Sequence, residues 1–219
     1  MKIISLIVCA IMLALPNRLV AQVDTETIER LTREALTSQL GTISVGARPV
    51  FIGGQLSGCS IEYNVLAQDW VYKGGAFIKI NGSFGLMSAS GKIAPILKVV
   101  LHDVDSRTMD LIPSPPESAY FVTNNFSTNQ SSIIESYRSD TPGAIVVIFQ
   151  LDPTFELLAD GLQKDKVTIA FNRRPGGTDL QIPIDTSVEK TTREGERIQS
   201  PKASLEFVRC AKQLLENAL

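Results

Sequence analysis

The only histidine of the chain, His102, lies beside two carboxylates in the run LHDVD. A base that is oriented by Asp103 or Asp105 is the core of a nucleophilic triad, and a sole histidine would have to act as that base. No serine lies in a glycine-flanked nucleophile elbow of the GxSxG type. The sequence therefore keeps a small hydrolase using His102 with Asp103 or Asp105 as the alternative function, and favours a polar strand end.

The cysteines have a structural interpretation. Cys9 lies in the apolar leader, so Cys59 and Cys210 are left in the rest of the chain. An even number of cysteines in a chain bound for an oxidising compartment predicts a disulfide, here between an early strand and the last helix. A zinc site is not expected because there is one histidine and no closely spaced cysteine pair. No metal and no cofactor are predicted.

Three residues are candidates for binding. Arg173 and Arg174, in NRRPGG, could present guanidinium groups to a carboxylate, a phosphate or an acidic partner, or could simply solvate an exposed hairpin tip. Trp70, in QDWVYKGG, could be an exposed aromatic contact. A core tryptophan at a sheet edge is the favoured interpretation, because most tryptophans bury much of their surface.

The first residues have the layout of a secretory signal. Lys2 precedes an apolar run from Ile3 to Leu15, and the chain then continues PNRLVAQ. As a helix this run would span only about 20 Å, short of the roughly 30 Å of a bilayer core. We therefore predict a signal peptide over residues 1–21, export to the periplasm or the medium, and no membrane span after cleavage.

Composition limits the kind of partner. The formal net charge is −2, with 21 basic and 23 acidic residues mixed along the chain, so no electrostatic force draws it to nucleic acid or anionic lipid. P-loop, dinucleotide-binding and HExxH motifs do not occur in the sequence. These observations favour a protein or a component of the cell envelope as the partner.

The hydrophobic pattern changes once along the chain. Residues 22–48 are predicted to form an amphipathic helix and a linker, with an apolar stripe at Ile28, Leu31, Ala35, Leu36 and Leu40. Residues 49–219 are predicted to form a single β-rich domain, because short alternating runs such as SIEYNV are separated by glycines. Gly82 and Gly85 are expected to mark a bend, a bulge or a tight turn in one of these runs.

Later segments complete the domain. The run KVTIAFNRRPGGTDLQIPID predicts a hairpin, GAIVVIFQL a central strand, and DPTFELLADGLQ a short helix. The last segment predicts a helix with an apolar stripe at Leu205, Val208, Ala211 and Leu215. The expected fold class is α+β, a mostly antiparallel β-sandwich or strongly bent sheet with an N-terminal and a C-terminal helix packed on it. The expected function is that of an exported, non-catalytic binding or interaction module of unknown ligand, which binds through loops at one end of the sheet.

Overall fold

The computed structural model describes residues 24–89, 91–122 and 129–217. The predicted signal peptide lies outside these ranges. Within them the chain forms three α-helices, namely α1 (Thr25–Ser38), α2 (Leu151–Gln163) and α3 (Lys202–Glu216). In this part of the chain no helix is both long enough and apolar enough to cross a membrane.

Most of the remaining described residues belong to twelve strands. They are β1 (Gly41–Ile52), β2 (Gln55–Asp69), β3 (Ala76–Ala89), β4 (Lys92–Val104), β5 (Leu111–Pro113), β6 (Ser118–Val122), β7 (Ile133–Arg138), β8 (Ala144–Phe149), β9 (Lys166–Asn172), β10 (Leu180–Asp185), β11 (Val188–Thr191) and β12 (Arg197–Gln199).

The strands form two larger sheets and a small ribbon. The large sheet has the order β1-β2-β3-β4-β8-β7, with β5 beside the end of β4. The second sheet has the order β10-β9-β6, and β11 pairs with β12. Each strand pair described is antiparallel. The predicted hairpin is β9–β10, and the predicted central strand is β8, which has a neighbour on each side.

The core lies between the sheets and beneath α2 and α3. In β2, the side chains of Ile61, Tyr63 and Val65 are buried while Glu62, between them, is exposed. Since alternate residues of a strand point to opposite faces, one face of the large sheet is covered. One buried cluster joins the large sheet, β6, β9, β10, α2 and α3. The predicted α+β, sandwich-like fold class is confirmed.

Gly82 has a different role from the predicted bend, bulge or turn. Strand β3 passes through it with an unbroken register to β2 and β4. The Tyr63 hydroxyl donates a hydrogen bond of 3.0 Å to the Lys98 carbonyl across this point. A Cβ atom on Gly82 would lie 2.0 Å from that carbonyl oxygen and 2.5 Å from the hydroxyl. Glycine is therefore required for the close approach of these groups.

The two cysteines lie at disulfide distance, as predicted. Cys59 of β2 and Cys210 of α3 are joined with their Cα atoms 5.8 Å apart, across a sequence separation of 151 residues. This distance falls within the usual range for disulfides. The bond fixes the last helix to the second strand of the large sheet.

The N-terminal region differs from the prediction in two respects. Strand β1 begins at Gly41, so part of the predicted linker is already in the large sheet. The apolar packing of helix α1, among the described residues, is in its last turn, where Leu36 contacts Leu66 and Phe77 on the outer face of that sheet, and Glu29 forms an ion pair with Arg107 at 2.9 Å. Ile28 and Leu31, predicted to belong to the same stripe, are exposed.

The buried stripe of α3 also differs from the predicted one. Ala211 is buried, as expected, whereas Leu205 and Val208 are exposed. The side chains that enter the core with Ala211 are Ala203, Phe207 and Leu214. The stripe is thus rotated around the helix, and the exposed pair lies in an apolar groove of about 550 Å³ between α2 and α3.

Candidate functional site

The turn between β2 and β3 is built on Asp69, whose side chain is fully buried. Its carboxylate Oδ1 accepts hydrogen bonds from the backbone N–H groups of Val71 (3.1 Å) and Tyr72 (2.7 Å). Its backbone carbonyl accepts from Lys73 (3.3 Å) and Gly75 (2.8 Å). One residue therefore fixes the backbone of the whole turn, because it satisfies four donors that would otherwise need water.

Arg173, just after β9, ties this turn to the rest of the domain. Its Nε donates to Oδ2 of Asp69 at 2.6 Å, its Nη1 to the Ser114 hydroxyl at 2.6 Å, and its Nη2 to Oδ1 of Asp103 at 2.7 Å. Lys73 adds a more exposed ion pair to Oδ2 of Asp103 at 3.4 Å. We call Asp69, Arg173, Asp103 and Ser114 the arginine clamp. A buried guanidinium with three oxygen partners is a charge-assisted network of fixed geometry.

The arginine clamp corrects the sequence-based expectation for Arg173. Both interpretations of NRRPGG placed this side chain at an exposed hairpin tip, yet it is 10 % exposed and paired with the buried Asp69. Its polar atoms face into the protein, so Arg173 positions the turn and is not available as a surface contact. Only its neighbour, Arg174, is exposed as expected.

Trp70, the second residue of the turn, is 70 % exposed. The favoured interpretation of a core tryptophan was therefore wrong, and the exposed alternative is the one observed. The indole packs against Gly75, where a Cβ atom would lie 2.6 Å from Cη2 and 2.7 Å from Cζ3 of the ring. The absence of a side chain at Gly75 leaves room for the ring, so Trp70 has one supported side and one open side.

Arg174 and the β2–β3 turn meet through Tyr72. The Arg174 guanidinium carbon lies 5.7 Å from the centre of the Tyr72 ring, within cation–π range. The Tyr72 hydroxyl donates a hydrogen bond to the Thr178 carbonyl, in the loop between β9 and β10. We call the surface formed by Trp70, Tyr72, Lys73 and Arg174 the Trp70 platform. The structure thus places Arg174 against Tyr72, in the same turn as Trp70, and bonds the third predicted residue, Arg173, to Asp69, which organises that turn.

His102 does not form the triad that its neighbours suggested. It occupies β4 next to Asp103, so the two side chains point to opposite faces of the sheet. Its Nδ1 is shielded from solvent and has no hydrogen-bond partner among the residues described. Burial, with the nearby Lys79 ammonium, lowers the pKa of His102 and favours the neutral imidazole.

The two carboxylates near His102 have other partners. Asp103 belongs to the arginine clamp, as given above. Asp105 accepts hydrogen bonds from the backbone N–H groups of Arg107 (2.8 Å) and Thr108 (3.3 Å), and these bonds lower its pKa. Both acids therefore serve local structure in the described part of the chain, and a base–carboxylate pair is not assembled at His102.

Asp69, the centre of the turn, was missed by the sequence analysis. A signal was present, since an acidic residue directly before WVYKGG is suited to accept backbone hydrogen bonds in a turn. Its pairing with Arg173 had no such signal, because the two residues are 104 positions apart. Across the described ranges, no group of three or more histidine, cysteine or acidic side chains is arranged to hold a metal ion.

A second polar surface lies on the outer face of the large sheet. It is an open depression of about 590 Å³ whose floor includes Ser44, Asn64, Asn81 and Lys98. Asn64 and Asn81 are direct cross-strand neighbours, and the Oδ1 of each is shielded and lacks a hydrogen-bond partner among the described residues. Tyr63, the aromatic residue among the described residues that line the depression, is buried, so it does not offer an exposed ring as Trp70 does.

Comparisons of the chain with models of protein families, with curated proteins and with solved structures found no match.

Proposed function

We propose that the protein is an exported, non-catalytic binding module that captures a protein or another component of the cell envelope through the Trp70 platform. The observation that carries this proposal is the combination of a 70 % exposed tryptophan with a turn fixed by the fully buried Asp69. Tryptophan and arginine are enriched among the few residues that carry most of the binding energy at protein interfaces. A rigid surface also loses little conformational entropy when it binds.

The charge of the platform supports an acidic partner. Arg174 is exposed, and Lys73, at 47 % side-chain exposure, has its ammonium near the rim of the arginine clamp. Guanidinium groups bind carboxylates and phosphates with two parallel hydrogen bonds. We infer that the partner presents an anionic group beside a flat apolar surface that can stack on the open side of Trp70.

The test is capture of a partner by the mature chain from an envelope extract. Trp70→Ala combined with Arg174→Ala should reduce capture at least about tenfold, the loss expected when two central contacts are removed. The matched control is Ile134→Ala combined with Arg193→Ala, which also removes one exposed apolar and one exposed basic side chain. Equal capture by both double variants and the wild type would exclude the platform as the binding surface.

A photo-crosslinking amino acid in place of Trp70 makes the test direct. The same substitution at Ile134 is the control, since that side chain is 62 % exposed and lies on strand β7, outside the β2–β3 turn. A defined adduct at position 70 alone supports the proposal. Adducts of the same kind at both positions show non-specific contact and contradict it.

Export is the second part of the proposal. It is supported by the signal-like first residues and by the disulfide-distance pair Cys59 and Cys210. The intact mass of the protein recovered from the exported fraction should correspond to a chain starting at Gln22 and lacking two hydrogens. A full-length mass would contradict export through a cleaved signal, and a mass with two free thiols would contradict the disulfide.

The hydrolase alternative has less support. It needs a nucleophile and a carboxylate at His102, whereas Asp103 and Asp105 are bound elsewhere and the imidazole Nδ1 has no partner among the described residues. Binding through the Trp70 platform therefore remains the proposed function.

A further inference from the structure

The hairpin between β1 and β2 ends in an apolar tip formed by Phe51, Ile52, Gly53 and Gly54, which we call the Phe51 tip. Phe51 and Ile52 are each 61 % exposed. Both glycines have positive φ angles, +59° and +83°, as a tight two-residue hairpin turn requires. A Cβ atom on either glycine would meet nothing within 4 Å, so the turn projects away from the rest of the domain.

The two apolar side chains of the Phe51 tip are exposed on opposite faces of the hairpin. Phe51 pairs with Leu56, and Ile52 pairs with Gln55. Phe51 and Ile52 are therefore consecutive residues of a paired strand. Consecutive strand residues point to opposite sides. A flat partner surface could cover Phe51 or Ile52 but not both. The acyl chains of a lipid bilayer would surround the tip and could cover both side chains.

The hairpin is held so that the tip cannot fold back onto the domain. Pro49 pairs with Cys59, and Cys59 is bonded to Cys210 of α3. Leu56, the residue of β2 that pairs with Phe51, is buried. The base is therefore fixed by a covalent bond and by core packing, and the exposure of Phe51 and Ile52 is a stable property of the surface.

Basic side chains lie at the level of the hairpin base. Arg48 and Arg209 line, with Phe51 and one acidic residue, Glu206, a small surface cavity of about 370 Å³ next to the disulfide. Arg48 is largely exposed and pairs with Glu62. An apolar end followed by arginines is the arrangement of side chains that sit at a bilayer interface, where aliphatic and aromatic groups enter the acyl region and guanidinium groups stay among the head groups.

We propose that the Phe51 tip inserts into the surface of a lipid bilayer and orients the protein there. Two side chains bury little area compared with an acyl chain, and a single myristoyl chain gives only marginal, reversible binding. The contact is accordingly weak and reversible. Strand β2 runs from the tip to the Trp70 turn over fifteen residues, about 50 Å at roughly 3.3 Å per residue, so the Trp70 platform would face away from the bilayer. This inference does not depend on what the Trp70 platform binds.

The test is co-sedimentation of the mature chain with vesicles of phosphatidylethanolamine and phosphatidylglycerol. Phe51→Ser combined with Ile52→Ser should lower the partition coefficient about tenfold, since two apolar side chains lose their contact with lipid. The matched control is Ile134→Ser, which removes an equally exposed apolar side chain. Thermal melting of each variant should match the wild type, because the replaced groups are exposed.

Salt dependence separates insertion from charge attraction. The protein has a formal net charge of −2, so vesicle binding by insertion should largely persist at high ionic strength. Failure of the wild type to bind vesicles, unchanged binding of the double variant, or an equal loss in Ile134→Ser would each overturn the proposal. If the wild type does not bind vesicles and the double variant captures less of a protein partner than the wild type, the tip binds a protein cleft. That result would also overturn the bilayer proposal.

A second readout places the tip in the bilayer. Trp70 is the only tryptophan of the chain, so Ile52→Trp in a Trp70→Phe background gives a protein with one fluorophore at the tip. Vesicles should shift its emission to the blue and leave the emission of Ile134→Trp in the same background unchanged. An unshifted spectrum at position 52 with vesicles in excess would contradict insertion.

Discussion

The two ends of β2 lead to the Trp70 platform and to the Phe51 tip, and these two ends are stabilised in different ways. At Asp69 the turn is organised by a buried carboxylate, a buried guanidinium and several backbone donors. Within the described ranges the residues of the Phe51 tip have no side-chain hydrogen bond or ion pair, and the hairpin is held by turn geometry, strand pairing, the exposed Arg48–Glu62 pair and the disulfide. Buried charge therefore stabilises the Asp69 end of β2, whereas backbone pairing and a covalent bond are the main stabilising interactions at the Phe51 end.

This difference affects what each end can do. The arginine clamp fixes the β2–β3 turn, in which Gly75 supports one side of the Trp70 ring and the other side is open, which is the geometry of a stacking platform. The Phe51 tip exposes side chains on both sides, which is the geometry of a wedge. We therefore expect the stabilities of the two ends to respond differently to substitution, to reduction and to pH.

The largest effect is expected from breaking the arginine clamp. Arg173→Ala leaves the fully buried Asp69 without its cationic partner, so the free energy of unfolding should fall by about 3–5 kcal/mol. Arg174→Ala is the matched control. It removes an exposed guanidinium from the neighbouring position and should cost less than about 1 kcal/mol. Guanidinium-induced unfolding followed by circular dichroism measures both.

A double variant tests the physical reason for that loss. If the cost comes from an uncompensated buried charge, adding Asp69→Asn to Arg173→Ala should recover part of the stability, because it removes the charge. No recovery would mean that the loss comes from packing around the Arg173 side chain, and the arginine clamp would then not be an electrostatic device.

The disulfide gives the second largest effect and acts at the other end. Cys59→Ser with Cys210→Ser should lower the free energy of unfolding by about 2–4 kcal/mol, mainly through the gain in unfolded-state freedom. Hydrogen exchange should accelerate in the β1–β2 hairpin and in α3 more than at Asp69, because the bond joins the first two. Uniform acceleration throughout the domain would contradict this separate stabilisation of the two ends.

The sequence predicted what depends on local pattern or on simple chemistry. The β9–β10 hairpin followed from alternation, and its register pairs Phe171 with Leu180 and Ile169 with Ile182. The disulfide followed from an even cysteine count after a signal-like leader. In both cases the information lies in the residue types themselves, so no knowledge of distant packing was needed.

The difference between Arg173 and Arg174 could not be predicted in this way. The two residues are adjacent and identical in type, yet one is 10 % exposed and the other lies on the surface. What separates them is the position of Asp69 and Asp103, which lie 104 and 70 residues away along the chain. The favoured prediction for Trp70 was wrong for a related reason. It rested on the average burial of tryptophan in proteins and not on the turn in which Trp70 lies.

Two glycine substitutions compare the ends at a smaller scale. Gly75 and Gly53 both have positive φ, so alanine at either costs about 1–2 kcal/mol in backbone strain. Alanine at Gly75 would also collide with the Trp70 ring, whereas alanine at Gly53 meets open space. Because the Trp70 ring is exposed and can move aside, Gly75→Ala should cost only about 0.5 kcal/mol more than Gly53→Ala.

Tryptophan fluorescence reads out the displacement at Gly75. Because Trp70 is the only tryptophan, its emission should change in Gly75→Ala and stay the same in Gly53→Ala. Identical spectra and identical stabilities for the two variants would show that the indole does not rest on Gly75.

The smallest effect concerns pH and is confined to the β4 end near the arginine clamp. His102, the only histidine, has a pKa lowered by burial and by Lys79, so the unfolded chain binds its proton more readily than the folded one. The stability from neutral His102 is thus complete above its ordinary pKa of about 6.5 and decreases as the pH falls through and below that value. Between pH of about 7.5 and 5.5 no other side chain with an ordinary pKa titrates.

The free energy of unfolding of the wild type should fall from pH of about 7.5 to 5.5, with a slope below the one-proton limit of about 1.4 kcal/mol per pH unit. His102→Gln should abolish the slope, because no proton can then be taken up on unfolding. Parallel pH profiles for the wild type and His102→Gln would show that the imidazole is equally easy to protonate in both states, and that the shielding of its Nδ1 has no energetic consequence.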